Sequence, residues 1–295
     1  QQILSEAGII QDFESSGRIR YTHRSFPDRE IYFLSNKTDS VINDICSFRD
    51  GSRFAEAWDP VTGEIRPLKV TISGGITSLG IRLEGYQSLF IVFFGNKGQS
   101  VNTGRTVNFP EKQIISTIHG PWTVSFDTAM GGPAKAEFVT LEDWTSRPEE
   151  GIRYYSGTAT YSGRFDLPST VMKDNTGDLY LDLGTIRNIA SVTLNGRDLG
   201  VIWTSPWCVR ITDAVVQKDN SLEIKVANLW INRLIGDENR PWDGIENGKW
   251  PDWVLNNTPR SSDRYTFTTH RYYRKGDKPA ESGLLGPVTI MSCSP

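Results

Sequence analysis

The chain has 295 residues, 37% hydrophobic and 23% charged, with 27 Gly, 15 Pro and a formal net charge of -3. At roughly 100 to 200 residues per domain that length allows two domains, each large enough to bury a core, and the composition excludes disorder and collagen. Lys plus Arg stand against Asp plus Glu at 12 to 12 up to Pro110 and 20 to 23 beyond it, so neither half has the basic excess that neutralises phosphates, and nucleic acid is not an expected partner.

The longest apolar run, residues 89–94, has strand length and falls far short of the roughly 20 residues that cross a bilayer, so no membrane-spanning segment is expected. Cys46, Cys208 and Cys293 are too scattered for a C-x-x-C spacing, and His23, His119 and His270 are equally dispersed. Neither set implies a metal centre or a disulfide framework. The N-terminus has no basic region followed by an apolar one, so no signal peptide is expected within this sequence.

Residues 3–13, ILSEAGIIQDF, form a helix-compatible stretch too short to be stable alone. After it the apolar period becomes two. Residues 31–35 and 79–83 alternate, and residues 88–94 run continuously apolar, the grammar of a small β-sandwich. Residues 95–104 are poor in apolar side chains and rich in turn formers, which suggests a linker or edge loop, and the domain boundary is placed near Pro110.

Trp122, Val124 and Phe126 alternate with polar neighbours, as do Leu179, Leu181 and Leu183, and Leu222, Ile224 and Val226. Ala190, Val192 and Leu194 lead into Asn195-Gly196, whose tolerance of positive φ predicts a type I′ hairpin returning through residues 199–203. Asp219-Asn220 is a further turn signal. Many short strands without long helical patterns predict an all-β chain of two antiparallel β-sandwich domains, residues 1–110 and 111–295, the second a jelly roll. The alternating strands and helices of a (β/α)8 barrel, which alone needs about 250 residues, are absent from the pattern.

Carboxylates that could work as a pair are Glu149 with Glu150, Asp237 with Glu238, and Asp243 with Glu246, but adjacent carboxylates on a strand face opposite ways and those in loops usually serve solvation. The chain contains no G-x-S-x-G, P-loop or H-E-x-x-H motif, and the sequons at Asn36 and Asn256 are too short to carry weight.

Eight of the nine tryptophans follow residue 110, and residues 201–253 interleave Trp203, Trp207, Trp230, Trp242, Trp250 and Trp253 with Asn228, Asn232, Arg233, Asp237, Asn239 and Asp243. Sugars present apolar C–H faces ringed by hydroxyls, so flat aromatic rings with amide, carboxylate and guanidinium groups at the rim suit a carbohydrate-binding face. The candidate residues are Trp203, Trp207, Asn232, Arg233, Asp237, Trp242, Trp250 and Trp253. The competing reading has Trp203 and Trp230 filling the core while Asn228 and Asn232 satisfy loop backbone groups. Residues 242–253, WDGIENGKWPDW, place three tryptophans in a polar loop, which needs a ligand, a neighbouring domain or its own sandwich to pack on. A neighbouring domain outside this sequence is the preferred partner.

Residues 151–169, GIRYYSGTATYSGRFDLPS, resemble the Tyr-x-Gly-x-x-x-Tyr strand of the sugar-binding jelly-roll domains of glycoside hydrolase family 2, and residues 181–184, 192–200 and 222–237 continue the resemblance. The ending ESGLLGPVTI, residues 281–290, together with residues 19–24, 31–36 and 57–63, resembles the C-terminal region of family 106 α-L-rhamnosidases. The resemblance implies a linking sandwich followed by a galactose-binding-like jelly roll, in the non-catalytic C-terminal part of a large bacterial glycosidase acting on plant-type polysaccharide. Because that family's catalytic residues lie in its barrel, none is carried over, and residues 1–13 would be the last piece of that upstream domain. The implied partners are the upstream catalytic domain and an oligosaccharide, and the implied location is secreted, periplasmic or cell-surface. An autonomous carbohydrate-binding module and a purely structural domain pair stand as alternatives. No cofactor is expected, and although a jelly roll can hold a structural calcium ion, no spacing here indicates one.

Overall fold

The computed structural model describes residues 10–52, 54–94, 107–171, 177–260 and 262–293. The chain packs as two compact units, one of Gln1–Lys112 with Thr204–Pro206 and Cys293–Pro295, the other of Gln113–Trp203 and Trp207–Ser292. The linker expected at residues 95–104 lies outside the described residues.

In the first unit the strands are β1 (Phe13–Glu14), β2 (Ile19–Ser25), β3 (Arg29–Asn36), β4 (Ile42–Phe48), β5 (Ala55–Trp58), β6 (Ile65–Leu68), β7 (Thr71–Ser73), β8 (Ile76–Leu83) and β9 (Ser88–Phe94). They form one sheet in the order β1-β4-β8-β7 and a second in the order β2-β3-β9-β5-β6. Alternation on the two inner faces puts Ile42, Cys46, Phe48, Leu79, Ile81 and Leu83 against Tyr32, Leu34, Ala57, Ile91 and Phe93 in one core. That burial pushes the Cys46 thiol up to about 12.

The helix-compatible reading of residues 3–13 is corrected where it can be seen: residues 10–12 are not helical, and Phe13 pairs with Phe48 in a strand. Phe13 is 7% exposed, with its ring 5.2 Å from that of Phe48. Burial of one aromatic ring outweighs a helical tendency too short to nucleate by itself.

The second unit contains β10 (Lys112–Thr117), β11 (Trp122–Ser125), β12 (Ala136–Phe138), β13 (Thr158–Phe165), β14 (Asp178–Asp182), β15 (Thr185–Arg187), β16 (Ile189–Leu194), β17 (Arg197–Ile202), β18 (Cys208–Arg210), β19 (Asn220–Ala227), β20 (Gly283–Gly286) and β21 (Thr289–Cys293). A six-stranded sheet, β12-β11-β13-β19-β16-β17, and a four-stranded sheet, β10-β21-β14-β18, are interleaved along the chain in jelly-roll fashion, with β15 and β20 pairing separately. The fold is all-β and antiparallel, as expected. The alternating positions Trp122, Val124, Leu179, Leu181, Leu183, Leu222, Ile224 and Val226 all enter one core. The β16–β17 hairpin turns at Asn195 and Gly196, with φ of 52° and 79°. These are the left-handed values a type I′ turn requires, which glycine reaches without steric cost.

Two tryptophans anchor that core, and they are not the pair the sequence suggested. Trp122 and Trp144 are buried, whereas Trp203 and Trp230 are 57% and 58% exposed. Trp203 follows the end of the edge strand β17, and Trp230 caps a helix that leaves the sheet, so neither backbone position faces inward. The Trp144 indole N–H donates to the Tyr161 hydroxyl at 2.6 Å, and that hydroxyl accepts from Leu284 N at 3.2 Å. Burial pushes the Tyr161 phenol up to about 12.

Candidate functional site

Among the described residues of the second unit lie three short α-helices, α1 (Glu150–Arg153), α2 (Ile231–Asp237) and α3 (Asp252–Leu255). The long excursion between β19 and β20 carries α2, α3 and most of the polar aromatic tract. Asn228 and Asn232 tie down its start and its end. Asn228 accepts from Gly157 N at 2.9 Å and donates to Tyr155 O at 2.8 Å. Asn232 donates to Ala280 O at 2.8 Å and accepts from Ala280 N at 2.7 Å, and both asparagines donate to Ser282 Oγ. The amides thus satisfy loop backbone groups, which sets the path of the excursion.

Arg233 and Asp237 occupy successive turns of α2, and both are buried. One Asp237 oxygen accepts from Tyr265 N at 3.0 Å, Thr266 N at 2.7 Å and Thr266 Oγ1 at 2.7 Å. The other lies 3.2 Å from Arg233 Nε, an ion pair by proximity whose two atoms are not aligned for a hydrogen bond. Desolvation pushes the Arg233 pKa down, with the Asp237 charge opposing it. Arg264, also buried, donates to Asp237 O at 2.8 Å and to Glu238 Oε1 at 2.6 Å.

The tryptophan loop closes over this charged layer. Arg264 and Arg271 each place a guanidinium carbon 5.0 Å from the Trp242 ring centroid, and Arg260 does the same at Trp253. Asp243 is gripped by Arg260 and Ser262, and the Trp253 indole N–H donates to its carbonyl at 3.0 Å. Trp253 meets Phe267 edge-on at 5.4 Å, while Trp250 stacks on Phe267 at 6.0 Å and 26°. Trp250 and Phe267 remain 47% and 38% exposed, which makes them a paired aromatic face open to solvent. Trp242 and Trp253 are therefore covered by their own chain, and Trp250 projects.

The candidate residues separate into three settings. Trp242, Trp250 and Trp253 share one cluster. Asn232, Arg233 and Asp237 lie buried on α2 within the excursion, with their polar atoms directed at this chain. Trp203 is exposed and Trp207 packs half-buried on the sandwich core, and no ring contact joins either to the loop cluster among the described residues. Sequence reading missed Arg260, Arg264, Phe267 and Arg271. A signal existed in the alternation of residues 264–267, but with the polar residues inward: Arg264 and Thr266 are buried, while Tyr265 and Phe267 face out.

The carboxylates are arranged for anchoring. Burial opposes ionisation of Asp243, yet hydrogen bonds from Arg260 and Ser262 outweigh it and hold its pKa below the usual carboxylate range. Arg147 does the same to Glu149. A general acid needs the opposite shift. The Asn36 side chain is buried, with its amide spent on Ser40 O and Glu84 O, so that sequon serves the fold. Among the described residues no group of three or more His, Cys, Asp or Glu is placed to hold a metal, and no helix is long and apolar enough to cross a membrane.

These features define an antiparallel β-sandwich protein with an anchored aromatic loop, and comparison with known proteins makes it glycoside hydrolase-related. The glycoside hydrolase family 106 model, described as α-L-rhamnosidase, matches residues 1–72. A rhamnosidase structure from Novosphingobium sp. PP1Y covers 98% of this chain at 32% identity and a TM-score of 0.80, the match taking up 26% of that chain. A curated Formosa agariphila protein, whose name gives β-glucuronidase as a provisional activity, is 43% identical over 177 residues, 59% of this chain and 15% of that protein. The resemblance to family 106 α-L-rhamnosidases therefore holds. The chain spans about a quarter of the rhamnosidase and a still smaller share of the curated relative.

Proposed function

We propose that the chain is the non-catalytic C-terminal part of a larger bacterial α-L-rhamnosidase-like glycoside hydrolase acting on plant-type polysaccharide, where it supports the catalytic domain. The observation that carries this reading is the likeness of nearly the whole chain to about a quarter of a rhamnosidase. Ion pairing of four of the six acidic candidates supports it, since Asp237, Glu238, Asp243 and Glu149 have guanidinium partners. Secretion to the periplasm or cell surface accompanies that role. The test is hydrolysis of an aryl α-L-rhamnoside by this chain alone: no turnover is expected, and turnover abolished by Glu149→Gln or Asp243→Asn would overturn the proposal.

A second reading, an autonomous carbohydrate-binding module, is favoured by the exposed Trp250–Phe267 stack. It requires millimolar binding of an oligosaccharide to the isolated chain, weakened by Trp250→Ala without loss of folding. A plant pectic oligosaccharide panel that leaves tryptophan fluorescence and calorimetry unchanged refutes it.

A further inference from the structure

Within the second unit, a concavity of about 180 Å³ is lined by Arg187, Asn188, Leu229, Ala280, Glu281 and Ser282 and by no residue of the tryptophan loop. At about 30 Å³ per liquid water this equals roughly six waters, room for one sugar ring. Its floor is fixed. Ser282 Oγ accepts from Asn228 and Asn232 and donates to Ala280 O at 2.9 Å, and Ser282 N donates to Asp143 Oδ1 at 2.9 Å. Asn232 holds both backbone groups of Ala280. These bonds are made before any ligand arrives, so the pocket is preorganised.

Its wall carries the chemistry. Arg187 Nη2 and Glu281 Oε2 are 2.8 Å apart, and the two side chains are 39% and 48% exposed, so this pair faces solvent. Asn188 commits its backbone N–H to Ala227 O at 2.8 Å, while its side-chain amide makes no hydrogen bond among the described residues. Leu229, 50% exposed, supplies an apolar side. A guanidinium donor, a carboxylate acceptor and an amide of both kinds, set beside one aliphatic surface, match neighbouring hydroxyls on a ring with an apolar C–H face. The ion pair is neutral as a unit, and a carboxylated sugar would bring a second negative charge towards Glu281.

From this geometry we infer that Arg187, Asn188, Leu229 and Glu281 form a binding pocket for a single neutral pyranose with two adjacent free hydroxyls, an assignment that rests on the glycoside hydrolase-related reading of the chain. Neither Trp250 nor Phe267 lines this pocket.

The experiment is amide NMR titration of the chain with methyl α-L-rhamnopyranoside, methyl β-D-galactopyranoside and D-glucuronate at millimolar concentration. At least one neutral glycoside should shift residues 187–189 and 280–282, and D-glucuronate should not. Glu281→Gln should weaken the neutral glycoside at least about tenfold and, by freeing Arg187, admit D-glucuronate, a reversal that a merely structural Glu281 does not produce. Leu229→Ala, at an exposed position, should weaken binding with the thermal midpoint retained. Shifts confined to the Trp250 cluster, no shifts with any of the three sugars, or an unchanged affinity in Glu281→Gln would each overturn the pocket. None of those results touches the ancillary role, which stands or falls on aryl rhamnoside hydrolysis.

Discussion

Replacing Asp237 with asparagine keeps the shape of the side chain and an oxygen for the Thr266 donors, but leaves Arg233 a buried cation without its counter-charge. Arg233 is 2% exposed and Asp237 is fully buried, so solvent cannot take over. Removing one partner of a buried pair costs about 3–5 kcal/mol because the remaining charge is uncompensated, against a total stability of about 5–15 kcal/mol for a domain. With a urea m-value of about 1–3 kcal/mol/M, the midpoint should fall by at least about 1 M with m unchanged. The double variant Arg233→Met with Asp237→Asn removes the stranded charge and should recover most of that loss. The pair's Nε and Oδ1 are 3.2 Å apart but misaligned, so little hydrogen-bond energy is forfeited in the double variant. Urea unfolding followed by tryptophan fluorescence reads all three proteins. A drop below about 0.5 M for Asp237→Asn, or a double variant no more stable than the single, would refute the reasoning that charge burial dominates at α2.

Three further outcomes are expected. Trp144→Phe removes one of the two donors to the Tyr161 hydroxyl, leaving Leu284 N, and shrinks a fully packed ring, and should cost about 2–4 kcal/mol in chemical denaturation; a loss under 1 kcal/mol would show that the site relaxes. Gly196→Val forces a β-branched residue to a φ of 79° and should cost about 1–3 kcal/mol, read as a lower thermal midpoint, while the same change at the exposed Ser221 should be nearly neutral. Asp243 has a depressed folded pKa, so its contribution is complete above the unfolded value of about 3.9 and is lost as pH falls through the lower folded value. Thermal melts should therefore show the wild type losing stability below about pH 4 more steeply than Asp243→Asn, and parallel curves would count against the Arg260–Asp243 anchor.

Sheet positions were legible because strand periodicity and burial have the same cause. Leu179, Leu181 and Leu183 alternate in the chain and enter the core, and Asn195-Gly196 specifies its own turn through local sterics. Both signals operate over a few residues, which makes them readable without a partner strand. The candidate site was legible only in composition. Its tryptophans announced an unusual loop, but not which ring would be covered, since Trp242 and Trp253 depend on Arg260, Arg264 and Arg271, which lie up to 29 positions away in the chain.

The segment 264–267 shows the division most sharply. Hydropathy alone turns Tyr265 and Phe267 inward and Arg264 and Thr266 outward. The structure does the reverse, because the buried Asp237 carboxylate and the nearby Glu238 demand donors from whatever strand-like segment crosses them. Trp203 and Trp230 were likewise displaced from the core by where an edge strand ends and a helix begins. From the sequence alone came the all-β class, the strand faces, the hairpin and the family resemblance, all carried by local periodicity and short motifs. Tertiary structure decided which polar residues are buried and which aromatics remain exposed, because the cost of an unpaired buried charge is settled by neighbours that only folding brings together.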